Sequence, residues 1–139
     1  MNTFAPVLVA LSAAIILLLG VIHFVYTFSG PKLRPRDAAL EARLKEVSPV
    51  ISRETTMWKA WIGFNASHSY GAILFGVVYG YLAVAQSAML FRSPTLLLTG
   101  GLFLVGYLVL GKRYWFSVPL RGIALASLAY LGGVILSVL

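Results

Sequence analysis

Four apolar runs set the limits on what this chain can fold into. They cover residues 4–28, 60–85, 94–110 and 119–139, each near the ~20 residues that an α-helix needs to cross ~30 Å of hydrocarbon. No acidic side chain falls inside them, because Asp37, Glu41, Glu46 and Glu54 all lie between the first run and the second. A hydrophobic share of 60% and a charged share of 11%, with a mean hydropathy of +0.90, lie outside soluble globular usage. The expected fold is all-α: one integral membrane domain over residues 1–139, a four-helix bundle with a short amphipathic helix in a first cytoplasmic loop over about 29–57.

The net charge of +7 is read through its placement. Lys32, Arg34, Arg36, Arg43, Lys45, Arg53 and Lys59 sit in or beside the first loop, Lys112, Arg113 and Arg121 beside the third, and Arg92 alone in the second. The positive-inside rule then puts loops one and three in the cytoplasm and both termini outside, in a multi-pass protein of the cell membrane. The surplus is a topology signal first and an attraction to anionic headgroups second. It does not point to nucleic acid. With no cysteine, disulfides, thiolate metal sites and cysteine nucleophiles are excluded.

Local signals divide the chain further. The N-terminal segment lacks a basic leader and stays apolar through Phe28, as an uncleaved span does. Gly30 can supply a left-handed cap and Pro31 cannot continue a helix. Asp37 is an N-cap for AALEARLKEV, which sets Leu40, Leu44 and Val47 on one side and the i,i+4 pair Glu41 and Lys45 on another. Ser48 and Pro49 form a further start signal, so the second membrane helix is expected to begin before Met57. Gln86 to Ser93 is an outer loop ahead of Pro94. Tyr114, Trp115 and Phe116 form an aromatic belt, and Ser117 with Pro119 can open the fourth span. Gly63, Ser67 and Gly71 in the second span, and Gly122, Ala126, Gly133 and Ser137 in the fourth, are small-residue faces for close helix approach. No internal repeat supports a rocking transporter.

The second span carries the polar groups. At ~100° per residue Trp58, Trp61, Asn65, His68, Ser69, Ala72, Gly76 and Tyr79 share one face. In the first span Ser12, Ile16, Leu19, Gly20, His23, Tyr26 and Thr27 do the same. Both histidines of the chain are thus on polar faces, His23 ~9 Å and His68 ~10 Å below the cytoplasmic surface at the helical rise. The ligand-binding candidates are His23, Tyr26, Trp61, Asn65, His68 and Ser69, around a pocket between the first two spans that opens to the cytoplasm. A polar face at membrane depth needs partners. Those partners are either each other, by hydrogen bonds across helices, or a bound apolar molecule of lipid or quinone type.

Other chemistries fit less well. His23 and His68 could ligate the two faces of one haem, provided the macrocycle has room. A zinc site lacks a third protein ligand. A triad built on His68 with Ser67 or Ser69 has no orienting acid, and a proton path through His23, Tyr26 and His68 has no acid to extend it.

At TFSGPKL, Thr27 to Leu33, after a histidine-containing span, the chain resembles the small four-span bacterial membrane proteins of the DoxX-like group. The resemblance covers the first span, the spacing of Gly30 and Lys32 and the overall length. The run WKAWIGFNASHSYG, Trp58 to Gly71, is not part of it and looks like the signature of a separate, uncharacterised bacterial membrane family. The resemblance implies an accessory membrane subunit, in some members tied to quinone-dependent redox systems, and carries no catalytic residue across. The function expected is a binding or accessory protein holding an apolar ligand, a larger membrane partner or a second copy of itself. The alternative is a membrane redox or lipid-modifying enzyme using His23 and His68.

Overall fold

A computed structural model describes residues 3–139. It is all-helical, with α1 Phe4–Phe28, α2 Ala38–Glu46, α3 Met57–Ala85, α4 Ser87–Arg92, α5 Pro94–Tyr114 and α6 Ser117–Val138. Four of these, α1, α3, α5 and α6, are long and apolar enough to cross a membrane; the chain is a multi-pass helical membrane protein. Gly30 ends α1 with φ +80°, the one left-handed residue among those described. Asp37 caps α2 as its sequence asks, accepting from the amides of Ala39 (2.8 Å) and Leu40 (3.4 Å). Ser93 caps α5, with Pro94 at the first helical position.

Three expectations change. The second membrane helix does not reach back to Ser48 and Pro49; those residues enter a turn in which the Ser52 amide donates to Pro49 O (3.2 Å). Thr56 is the cap that starts α3, its hydroxyl accepting from the Lys59 amide (3.3 Å). The segment between Gln86 and Ser93 is helical, with Leu90 fully buried. Gly63 and Ser67 are not a packing face, since nothing lies within 4 Å of where a Gly63 Cβ would stand and Ser67 is exposed. Small residues permit close approach but do not compel it. On α3 the permission is used further along, at Gly76.

The chain packs as two compact units, one made of the segment up to Leu19 with Ala72–Leu139, the other of Gly20–Gly71. In the first unit the helices form an antiparallel ring, α1 beside α3 and α6, and α5 beside α3 and α6. A Cβ on Gly76 would meet Leu17 Cβ at 2.5 Å and Ala13 O at 2.8 Å, and one on Gly133 would meet Ala5 O at 2.8 Å. These contacts bring the backbones of α1, α3 and α6 close together. Ala126 and Gly133 are buried, so the small-residue face expected on the fourth span is used.

Aromatic rings fill the opposite side: Phe75 stacks on Tyr79 (4.6 Å between centroids) and on Phe103 (4.5 Å), and Phe103 on Tyr107 (4.3 Å). The Tyr79 hydroxyl donates to Leu96 O (2.7 Å) and that of Tyr130 to Leu97 O (2.9 Å). Both hydroxyls reach the α5 backbone beside Gly100. A Cβ there would collide with the Tyr130 hydroxyl and meet the Tyr79 ring at 2.7 Å.

In the second unit the end of α1, the long loop with α2 and the start of α3 are held without a large buried apolar core. Gly20, Thr27 and Ser69 are its only buried residues among those described. Hydrogen bonds and ring contacts take over that duty.

Gly100→Ala is expected to lower thermal stability in detergent by about 1–3 kcal/mol through overpacking. Gly106→Ala, whose added methyl meets nothing within 4 Å, should be neutral or gain up to ~1 kcal/mol from helix propensity. Equal melting of the two variants would count against the tyrosine contacts on α5.

Candidate functional site

The polar groups of the second unit converge on Asn65. Its Nδ2 donates to Trp61 O one turn earlier on α3 (2.8 Å), which fixes the amide with Oδ1 directed to His23 Nε2 at 3.0 Å. An amide oxygen only accepts, so His23 donates from Nε2. The Ser69 hydroxyl, on a residue with no solvent exposure, donates to Asn65 O (2.9 Å). Thr27 Oγ1 donates to His23 O (2.9 Å). His68 meets the His23 ring edge-on, with centroids 5.2 Å apart, and Phe24 meets Tyr70 in the same manner at 5.3 Å. Four of the six predicted site residues, His23, Asn65, His68 and Ser69, are thus brought together as a clasp between α1 and α3.

Trp61 serves a different surface. It is 45% exposed, and its indole Nε1 donates to Leu33 O (3.0 Å). The Leu33 carbonyl belongs to a turn closed by the Arg34 amide on Pro31 O (3.1 Å). Around this tie lies an open cleft of about 440 Å³, within the ~300–1,000 Å³ common for small-ligand sites. Leu33, Pro35, Leu40, Leu44 and the indole form its apolar wall, and Lys32 and Arg34 its cationic one. Tyr26, 41% exposed, is joined to this surface through Lys32, whose Nζ stands 6.0 Å from its ring centroid.

Ion pairing leaves the cleft basic. Glu41 bonds Lys45 at 2.6 Å and lies 3.8 Å from Arg34. The hydrogen bond from Lys45 first, and the positive charges of Lys45 and Arg34 after it, hold the Glu41 carboxyl below the usual carboxylate range. Lys45 also stands 5.3 Å from the Trp58 ring, linking α2 to the start of α3. Lys32 has no carboxylate within ion-pair distance among the described residues.

A larger groove, about 570 Å³, runs along α5 and α6 in the first unit. Its wall is leucine and valine, and its two hydroxyl-bearing residues are already committed, Ser127 to Ile123 O and Tyr130 to Leu97 O. A groove of that kind suits lipid tails in general and orients none of them.

Two cofactor arrangements can be tested on this geometry. Axial haem ligation needs the imidazoles on opposite faces of a porphyrin; His23 and His68 touch each other, and no macrocycle fits between them in this arrangement. No group of three or more His, Cys, Asp or Glu side chains among the described residues is placed to hold a metal ion. Compared with known protein families, with curated proteins and with solved structures, the chain finds no match. The chemistry of the site is therefore read from its own residues.

The cleft cations were not among the candidate site residues read from the sequence. The signal for them was present in PKLRPRD: two prolines that stiffen the segment, with basic residues alternating between them. Helical periodicity does not register such a pattern, because the segment is a turn.

Asn65→Leu removes the acceptor of His23 and the donor to Trp61 O together. The expected loss is on the order of 0.6–2 kcal/mol, the range for hydrogen bonds between membrane helices. Nitrogen NMR of the histidines supplies a sharper reading: the His23 Nε2 resonance should shift in Asn65→Leu, which takes away its hydrogen-bond acceptor. An unchanged Nε2 resonance would remove Asn65 as its partner.

Proposed function

We propose that this chain is a binding or accessory protein of the cell membrane that holds an amphipathic ligand, of lipid or quinone type, at headgroup level. The observation that carries this reading is the cleft around Trp61, where an apolar wall and two cations meet on a turn pinned by the indole N–H. Tryptophan is the side chain enriched at the membrane–water boundary. A ligand there keeps its tail against Leu33, Leu40 and Leu44 and its polar end against Lys32 and Arg34. The His23–Asn65 clasp supports the site from beneath, since Asn65 bonds the carbonyl of the residue whose ring walls the cleft.

Binding, rather than catalysis by His23 and His68, is favoured by the way the clasp spends its groups. His23 Nε2 is engaged by Asn65 and the Asn65 amide by Trp61 O, and no carboxylate lies in either span to orient a base. The orientation that accompanies this reading has the long loop and the α5–α6 connection in the cytoplasm and both termini outside, on the distribution of Lys and Arg. Reporter fusions at Leu139 check it: the expected result is activity of a periplasmic-type reporter, and a cytoplasmic C-terminus would reverse the orientation.

Mass spectrometry of small molecules that co-purify in mild detergent tests the ligand itself. Trp61→Ala is expected to lower the tightly held amphiphile several-fold relative to wild type. Trp58→Ala, which leaves the cleft wall in place, should retain it. Identical ligand content in all three proteins would sink the proposal.

A further inference from the structure

Resting on that reading of the cleft, we infer that its ligand is an anionic phospholipid, bound by its phosphate between Lys32 and Arg34. The backbone that carries the two cations is preorganised. It sets them two residues apart on the Pro31–Arg34 turn, which is closed by its own backbone bond and tied to α3 by Trp61. A site whose backbone is fixed beforehand gives up less entropy on binding.

Their charge is only partly spent. Among the described residues the carboxylate within ion-pair distance of Arg34 is that of Glu41, at 3.8 Å, beyond hydrogen-bond length, and Glu41 already bonds Lys45 at 2.6 Å. Arg34 keeps a side chain 55% exposed, and its planar fork of donors suits two oxygens of one phosphate. Lys32 adds a point charge with no carboxylate within ion-pair distance among the described residues. The other residues that line the cleft are uncharged: Leu33, Pro35, Leu40, Leu44 and Trp61.

The apolar wall decides between a lipid and a free anion. Inorganic phosphate would use the cations and leave the leucines and the indole unoccupied. A phospholipid uses both, and the protein is surrounded by it. A neutral quinone or zwitterionic lipid would use the wall and leave the two positive charges uncompensated.

The full-length protein in nanodiscs of phosphatidylglycerol and phosphatidylcholine, matched in acyl chains and mixed equally, supplies the test. Native mass spectrometry reads which lipid stays bound on release from the disc. The wild type is expected to retain phosphatidylglycerol over phosphatidylcholine by about thirtyfold, the scale of two basic side chains acting at a membrane surface. Lys32→Gln with Arg34→Gln should bring that ratio near unity while the melting temperature stays close to wild type. The charge-keeping exchange Lys32→Arg with Arg34→Lys should preserve the preference. So should Arg36→Gln with Arg53→Gln, which removes the same charge outside the cleft.

A wild-type ratio near unity, or equal loss of preference in the last pair of substitutions, would overturn the inference in favour of a neutral ligand or of diffuse attraction. Displacement of the bound lipid by millimolar inorganic phosphate would overturn it in favour of a free anion. The underlying reading fails separately: if Trp61→Ala holds as much lipid of either class as wild type, the cleft is not the site.

Discussion

Asn65 stands in a membrane helix with two donors and an acceptor on its side chain, in a medium where no water replaces a bond that is not made. One donor is used on its own helix, at Trp61 O, and this turns the amide oxygen outward to His23 on α1. The rest of the second unit follows from that orientation. Trp61, one turn before Asn65, sends its indole to Leu33 O, and the turn carrying Lys32 and Arg34 is held in place. A path of hydrogen bonds therefore runs from His23 through Asn65 and Trp61 to the loop. Only its link from Asn65 to Trp61 O is set by helical spacing; the other two join separate segments of the chain.

The two units solve the same problem by different means. Lipid tails are as apolar as leucine, so helices in a bilayer gain little by burying apolar surface against each other. The first unit relies on contact instead, with α1 lying against Gly76 and Gly133 and aromatic rings stacked from Phe75 to Tyr107. Its tyrosine hydroxyls add bonds to the α5 backbone at the position where Gly100 leaves room. In the second unit large buried apolar side chains are lacking, and paired polar groups hold α1 to α3. A clasp of this sort is directional where packing by small residues is not. It accordingly fixes rotation of the helices as well as their distance.

How much of this was legible in the sequence depended on whether the signal was periodic. The four spans, the cap at Asp37, the left-handed Gly30 and the Glu41–Lys45 pair all rest on spacing or on one residue's backbone preference, and all are present in the structure. Asn65, His23 and His68 could be placed at matching depth because a helix converts residue number into distance. The start of α3 was misjudged because Ser48–Pro49 offers the same local cue as a helix start, and the choice fell to Thr56, nearer the apolar run. The outward position of Gly63 and Ser67 was not readable, since a glycine's spacing tells where a neighbour may come and not whether one does. The cleft was invisible for a further reason: its wall joins a turn, the face of α2 and one indole from α3, residues up to 29 positions apart between Lys32 and Trp61.

The two roles proposed for the basic loop, orientation and recognition, do not compete. Orientation by the positive-inside rule depends on how many Lys and Arg lie near the membrane ends, and is nearly indifferent to where each side chain points. Recognition depends on the reverse. Lys32 and Arg34 could be moved along the loop without disturbing topology, yet they occupy a turn stiffened by Pro31 and Pro35, and the Trp61 indole pins that turn above an apolar wall. Arg43 lies across from Glu46 at 3.2 Å on exposed α2, a pairing that neutralises its charge locally. The contrast between a spent cation on α2 and two less committed ones over the cleft is what a topology signal alone leaves unexplained, and what a bound anionic headgroup would account for.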